Sequence, residues 1–164
     1  MLCISVEEFL FWKKKQLSKG GNQQSFAVLL DCIGGLPTSD LNLISIKPEG
    51  KLYLKQNLEF LESIWNEHLF KSCPIQYLCG ITFWRDLKLK VSNKVLIPRP
   101  ETELIVDIVF NIFRKKSEKL FFAELGTGSG AISIALALAY PLSEGVATDI
   151  DQDALEIALS LIHI

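Results

Sequence analysis

Three glycines at alternate positions, Gly126, Gly128 and Gly130, join the apolar run Leu120-Phe-Phe-Ala-Glu-Leu125 to the apolar stretch Ala131–Ala139. This joint constrains the fold more than any other part of the chain. A short apolar run bounded by a glycine turn fits a buried parallel strand, and the stretch behind it has the length and composition of a helix. Glycine permits the sharp turn, lets ligand atoms approach the backbone, and leaves the first N–H groups of the helix open. Gly145-Val-Ala-Thr-Asp149 then reads as a second strand, and Asp151-Gln-Asp-Ala-Leu-Glu156 as the opening of a second helix. Strand, helix, strand, helix is the beginning of an open α/β sheet. Asp149 ends the second strand, where a carboxylate can accept hydrogen bonds from both ribose hydroxyls of a nucleoside. The turn is therefore nucleotide-binding in kind.

Two ligands and one ligand-free reading compete for it. Gly126, Gly128 and Ala131 satisfy Gly-x-Gly-x-x-Ala, so a dinucleotide such as NAD stays open. Glu124 stands just before the turn, where a carboxylate opposes a pyrophosphate but tolerates a cationic sulfonium ligand carrying an amino group. That electrostatic argument favours S-adenosylmethionine. A purely structural glycine turn is the third reading.

The chain ahead of this region is helical in pattern. Ser5-Val-Glu-Glu8 is a capping box, followed at helical spacing by Val6, Phe9, Leu10 and Leu17. Gly20-Gly21 ends that helix. Phe26, Leu29, Leu30 and Ile33 form the face of a second, which stops at Gly34-Gly35. Pro37-Thr-Ser-Asp40 reads as a turn, and Leu54, Leu58, Leu61, Trp65 and Leu69 as a third, longer stripe. Amphipathic helices over residues 1–75 make a small bundle, either a packing module or a partner-recognition module. Pro74 opens a short helical turn. Thr82-Phe-Trp-Arg-Asp-Leu-Lys-Leu-Lys-Val91 alternates apolar and polar residues, which predicts an antiparallel hairpin. A domain boundary is expected near residues 73–82, with the hairpin linking the parts over 76–100. From Glu101 the helical period returns, with Leu104, Ile108 and Ile112 on one face.

Composition sets the broad limits. At 164 residues, 49% hydrophobic and 22% charged, the chain can bury a core. A formal net charge of −2 argues against broad nucleic-acid binding. No apolar stretch reaches the roughly 18 residues of a membrane span, and the first residues carry acids where a secretory signal carries bases. A cytoplasmic protein with no direct nucleic-acid or membrane partner is expected. Cys3, Cys32, Cys73 and Cys79 contain no Cys-x-x-Cys pair, and His68 stands far from His163, so neither a metal site nor a disulfide framework is expected.

Four stretches together carry a family resemblance: Pro74-Ile-Gln-Tyr-Leu-Cys-Gly80, Phe83-Trp84, Val95-Leu-Ile-Pro-Arg-Pro-Glu-Thr-Glu103, and Glu124-Leu-Gly-Thr-Gly-Ser-Gly-Ala-Ile132. The chain resembles the release factor glutamine methyltransferases (the HemK/PrmC family). The Ile-Pro-Arg-Pro-Glu-Thr-Glu stretch is highly specific to them, whereas the glycine turn is common to many methyltransferases. The resemblance implies an α/β chain: a helical release-factor-recognition domain (1–75), the hairpin linker, and the first part of a Rossmann-like methyltransferase domain (101–164). It implies S-adenosylmethionine as cosubstrate, no metal, and methyl transfer to the side-chain amide of the glutamine in the Gly-Gly-Gln motif of peptide chain release factors, a step in translation termination. Carried over by position, Glu124, Gly126, Thr127, Gly128, Ser129 and Gly130 fall around the methionine part of the cofactor, and Asp149 on the ribose-binding acid. Phe83, Arg99, Pro100 and Glu101 fall on the substrate side. Glu124 departs from the family's more frequent Asp, keeping the charge and adding one methylene.

A larger departure concerns the acceptor. An amide nitrogen is a poor nucleophile, and the family orients it with an Asn-Pro-Pro-Tyr loop after the fourth strand. This sequence contains no Asn-Pro, so its catalytic residues are unassigned. A complete sheet of this class needs roughly another hundred residues, at about 25–30 per βα unit. The expectation is an enzyme fragment cut by truncation or frameshift, which lacks methyl transfer by itself. A non-catalytic release-factor-binding module and a dinucleotide-dependent oxidoreductase fragment are the alternatives.

Overall fold

The computed structural model describes residues 1–113 and 119–162, the side chain of Ile162 excepted. His163, and the end of the 101–164 span, lie outside the described residues. The chain divides into two compact units, Met1–Cys79 and Gly80–Ile164.

The first unit opens with a short strand, β1 (Leu2–Ser5), and continues through α1 (Val6–Ser18), α2 (Gln23–Leu29), α3 (Thr38–Ile46), strand β2 (Lys51–Leu54), α4 (Leu58–Phe70) and α5 (Ile75–Cys79). Polar caps set three helix starts by accepting orphan N–H groups. Ser5 Oγ accepts from Glu8 N at 3.1 Å, Asn22 Oδ1 from Ser25 N at 2.7 Å, and Asn57 Oδ1 from Phe60 N at 2.8 Å. Helix α2 widens into a π-type turn, Leu30–Gly34, and ends on Gly35 in the left-handed region (φ +68°). The core is aromatic. Phe26 meets Trp65 edge-on at 4.9 Å and Trp12 at 5.5 Å, among buried Phe9, Leu29, Leu30 and Leu61.

Two readings of this unit change. Leu54 is not on the α4 stripe: it lies in β2, opposite Leu2 in an antiparallel pair with β1. The Asn57 cap forces α4 to begin after it. Pro37-Thr-Ser-Asp40 is not a free-standing turn either, because Pro37 precedes the first turn of α3 and Asp40 N and Leu41 N both donate to its carbonyl. The helical bundle thus carries a small sheet as well.

The second unit begins with the hairpin β3 (Ile81–Trp84) and β4 (Leu87–Lys90), antiparallel with Trp84 opposite Leu87. Arg85 takes φ +51° in the connecting turn. A 3-10 turn at Pro100–Thr102 leads into α6 (Glu103–Ile112), followed by β5 (Phe121–Leu125), α7 (Ala131–Ala139), β6 (Glu144–Thr148) and α8 (Gln152–Ile162). Strands β5 and β6 are parallel, with Phe122 beside Gly145 and Glu124 beside Ala147. The Phe122 ring lies so close over Gly145 that a Cβ there would come within 2.6 Å of Cε1. The core gathers Trp84, Leu89, Val106, Ala131, Ala135, Leu136 and Tyr140.

The α/β alternation is present, but its burial differs from the sequence reading. The run Leu120–Leu125 reads as a buried parallel strand, yet Leu125 is 83% exposed and Val146 of β6 is 61% exposed. Successive residues of a strand face opposite sides. Phe122 packs with the core of this unit, whereas Phe121 and Leu125 point to the other side and are exposed. On α6 the stripe Leu104, Ile108, Ile112 is exposed, and Val106 is the buried residue. No single helix among the described residues is long and apolar enough to cross a membrane.

Candidate functional site

The end of β5 delivers the chain into three left-handed glycines, Gly126 (φ +73°), Gly128 (φ +54°) and Gly130 (φ +78°). Side chains rarely adopt that conformation, so the sequence of alternate glycines creates this turn. A Cβ at Gly126 or Gly128 would meet nothing within 4 Å, whereas one at Gly130 would sit 3.1 Å from Ala158 Cβ. Gly126 and Gly128 therefore border open space, and Gly130 allows α8 to approach α7.

Hydrogen bonds hold the turn rigidly. Gly126 N and Thr127 N both donate to the Thr148 carbonyl, at 2.8 and 2.9 Å, which anchors the turn on the end of β6. Gly130 N donates to the Thr127 carbonyl at 2.8 Å. Thr127 and Ser129 are buried beneath it.

Two carboxylates close the arrangement. Asp149 Oδ2 accepts from Gly128 N at 2.8 Å, and its Oδ1 accepts from Asp151 N at 3.0 Å. These backbone donors, Asp151 first and then Gly128, hold the Asp149 carboxyl below its usual range. Glu124 Oε2 accepts from Thr127 Oγ1 at 2.9 Å, from Ser133 N at 3.0 Å, and from Ser133 Oγ. Ser133 is the third residue of α7, so its N–H is one of the donors that a helix N-terminus leaves unpaired. The structure thus brings Glu124, Gly126, Thr127, Gly128, Ser129, Gly130 and Asp149 into one cluster.

Phe83 lies on β3 of the hairpin, and Arg99, Pro100 and Glu101 lie at the start of the 3-10 turn that leads into α6. Phe83 is 53% exposed on β3, and Arg99, Pro100 and Glu101 are exposed. Trp84, unlike its neighbour Phe83, is buried and donates its indole N–H to the Arg99 carbonyl at 3.0 Å. Arg85 reaches α6 through Nη1, which contacts Asp107 Oδ1 at 2.8 Å. Lys94 pairs with Asp153 in the first turn of α8 at 2.7 Å, tying the loop before Arg99 to the helix that follows Asp149. Trp84 carries the family resemblance in the sequence without an assigned role, whereas Arg85, Lys94 and Ser133 have none there. Ser133 had one visible signal, a lone hydroxyl in the apolar run Ala-Ile-Ser-Ile-Ala.

An apolar cavity of about 770 Å³ lies in this unit, lined by Leu87, Leu89, Phe122, Ile134, Leu155 and Leu159, with Thr127 and Ser133 in its wall. Gly126, Gly128 and Asp149 do not line it. Among the described residues no group of three or more His, Cys, Asp or Glu side chains is placed to hold a metal. The four cysteines form no disulfide. A hydrogen bond with Cys32, together with burial, pushes the Cys79 thiol well above the usual thiol range.

No family model matches the chain. It is similar to curated proteins named release factor glutamine methyltransferase. That of Prochlorococcus marinus is 45% identical over 164 residues, 98% of this chain and 55% of that protein. Those of Gloeobacter violaceus and Bacillus anthracis are 34% identical over 147 residues and 37% over 157, covering 51% and 54% of their own lengths. The chain spans about half the length of the curated relatives it matches. Over the length it shares with them, the chain is similar to the release factor glutamine methyltransferases.

Proposed function

We propose that the turn at Glu124–Gly130, with Asp149, is the seat of S-adenosylmethionine in a protein-glutamine methyltransferase whose acceptor is the glutamine of the Gly-Gly-Gln motif in release factors. The observation that carries the ligand is the use of two backbone donors, one in the glycine turn and one in the first turn of α7. Gly128 N is taken by the Asp149 carboxylate and Ser133 N by the Glu124 carboxylate. A pyrophosphate approaching this helix start would meet two negative charges in place of free N–H groups. A ligand with a sulfonium and an ammonium meets the same charges favourably.

The residues divide the work by their chemistry. Asp149 keeps unshared lone pairs for ribose hydroxyls, since each carboxylate oxygen accepts more than one hydrogen bond. Glu124 supplies negative charge for the amino-acid end, and Gly126 and Gly128 leave room beside the backbone. When bound, S-adenosylmethionine supplies an electrophilic methyl group on a positively charged sulfur. Phe83, Arg99, Pro100 and Glu101 are the proposed acceptor-side residues, and the helical unit of residues 1–75 is the proposed release-factor recognition domain. Because the sequence has no Asn-Pro dipeptide, these 164 residues lack the amide-orienting loop that the family resemblance implies. We therefore propose that they bind cofactor and do not transfer methyl by themselves.

Calorimetric titration of the chain with S-adenosylmethionine and with NAD tests the ligand, with heat expected from the first alone. Binding of NAD in its place would establish the dinucleotide reading. Incubation with labelled S-adenosylmethionine and a release factor tests the second point, and label appearing on the glutamine would overturn it.

A further inference from the structure

We propose that Ser133 is a positioning residue that turns Glu124 to face the ammonium group of an amino-acid-bearing nucleoside; this rests on the S-adenosylmethionine reading of the site. Three donors converge on a single oxygen of Glu124. Thr127 Oγ1, Ser133 N and Ser133 Oγ all bond Oε2, and none of the described hydrogen bonds goes to Oε1. A glutamate beside a helix start can present either oxygen, and its flexible stem allows several rotamers. Here Ser133 contributes two of the three bonds, one from each end of the residue, and removes that freedom. Oε1 takes part in none of these three bonds and is the oxygen left to accept from the ligand.

The helix itself needs only one of these bonds. Ser133 N–H is a donor that any acceptor would satisfy as a cap. The Ser133 hydroxyl is not required for that purpose, because a serine inside a helix usually satisfies itself on a backbone carbonyl of the preceding turn. Its orientation toward Glu124 makes sense as a second latch on the carboxylate. A charge-assisted bond to a held carboxylate is stronger and more directional than one to a mobile carboxylate.

The test separates the ammonium from the nucleoside. S-adenosylhomocysteine carries the amino-acid end, and 5′-methylthioadenosine has the same nucleoside without it. Calorimetry on the full chain gives both affinities for wild type, Ser133→Ala and Ser133→Thr. Ser133→Ala is expected to weaken S-adenosylhomocysteine about five-fold and methylthioadenosine less than about two-fold, with Ser133→Thr restoring most of the loss. An equal loss for both ligands, or no loss for either, overturns the positioning role while leaving the cofactor reading intact. Wild type binding neither ligand overturns the cofactor reading, and this inference with it. If Ser133→Ala fails to fold, Glu124→Gln provides the same comparison: it must reduce binding of the ammonium-bearing ligand selectively, and an unselective loss sinks the proposal.

Discussion

Trp84 donates its indole N–H to the backbone carbonyl of Arg99, fifteen residues away, at 3.0 Å. Thr102 N donates to the same carbonyl at 3.1 Å, so both lone pairs of that oxygen are engaged. The hairpin thereby fixes the direction in which Arg99-Pro100-Glu101 leaves the loop and enters α6. Trp84 is only 3% exposed, so water cannot simply replace the lost donor. Trp84→Phe should cost about 1 kcal/mol in urea unfolding. It should also speed amide exchange at Thr102 while leaving β5 and β6 unchanged. Uniformly faster exchange across the unit would show that Trp84 acts through general packing instead.

Asp149 connects the site to pH. Its folded-state value lies below the ordinary aspartate value of 3.8 because backbone N–H groups of Asp151, Gly128 and Ile150 favour the charged form. A depressed carboxylate contributes stability above its unfolded value and loses that contribution as pH falls through the folded value. The difference in urea midpoint between wild type and Asp149→Asn should therefore be present at neutral pH and shrink as pH drops from about 5 towards about 3. Carboxyl chemical shifts followed by NMR over the same range give the titration directly. A midpoint difference that stays constant with pH would remove the charge from the explanation.

In the first unit, Gly21 lies against Trp65. Its φ is +79°, and a Cβ placed there would be 2.6 Å from Cζ2 and 2.7 Å from Cη2 of the indole. Gly21→Ala meets both a left-handed backbone and an overpacked ring, together about 2–4 kcal/mol of destabilisation. Those two indole atoms are absent from phenylalanine. In a Trp65→Phe background the same substitution should cost only the backbone share, about 1 kcal/mol. Equal costs in the two backgrounds, read by urea unfolding, would place the effect entirely in the backbone.

Local chemistry was readable from the residues alone. The Ser5 cap depends on residues three apart, and the alternation of Thr82–Val91 depends on a two-residue period, so both appear in the string of letters. The glycine joint, the helix Ala131–Ala139 and the two-strand alternation are equally local, and the structure has them. The pairing of β1 with β2 was invisible, since two four-residue strands separated by three helices carry no shared local pattern. The same limit applied at the site. Glu124 and Asp149 were identifiable beside the turn, but their donors Ser133 and Gly128 lie nine and twenty-one residues away. Only folding brings them into reach.

By itself, the sequence determined which residues share a helix or strand face and where glycine allows a left-handed turn, because both depend on backbone geometry within a few residues. The tertiary structure decided which faces are covered and which oxygen of each carboxylate is engaged. Leu104, Ile108 and Ile112 share one face of α6 by periodicity alone, yet that face is exposed. Periodicity aligns side chains, whereas burial depends on where distant segments of the chain come to lie.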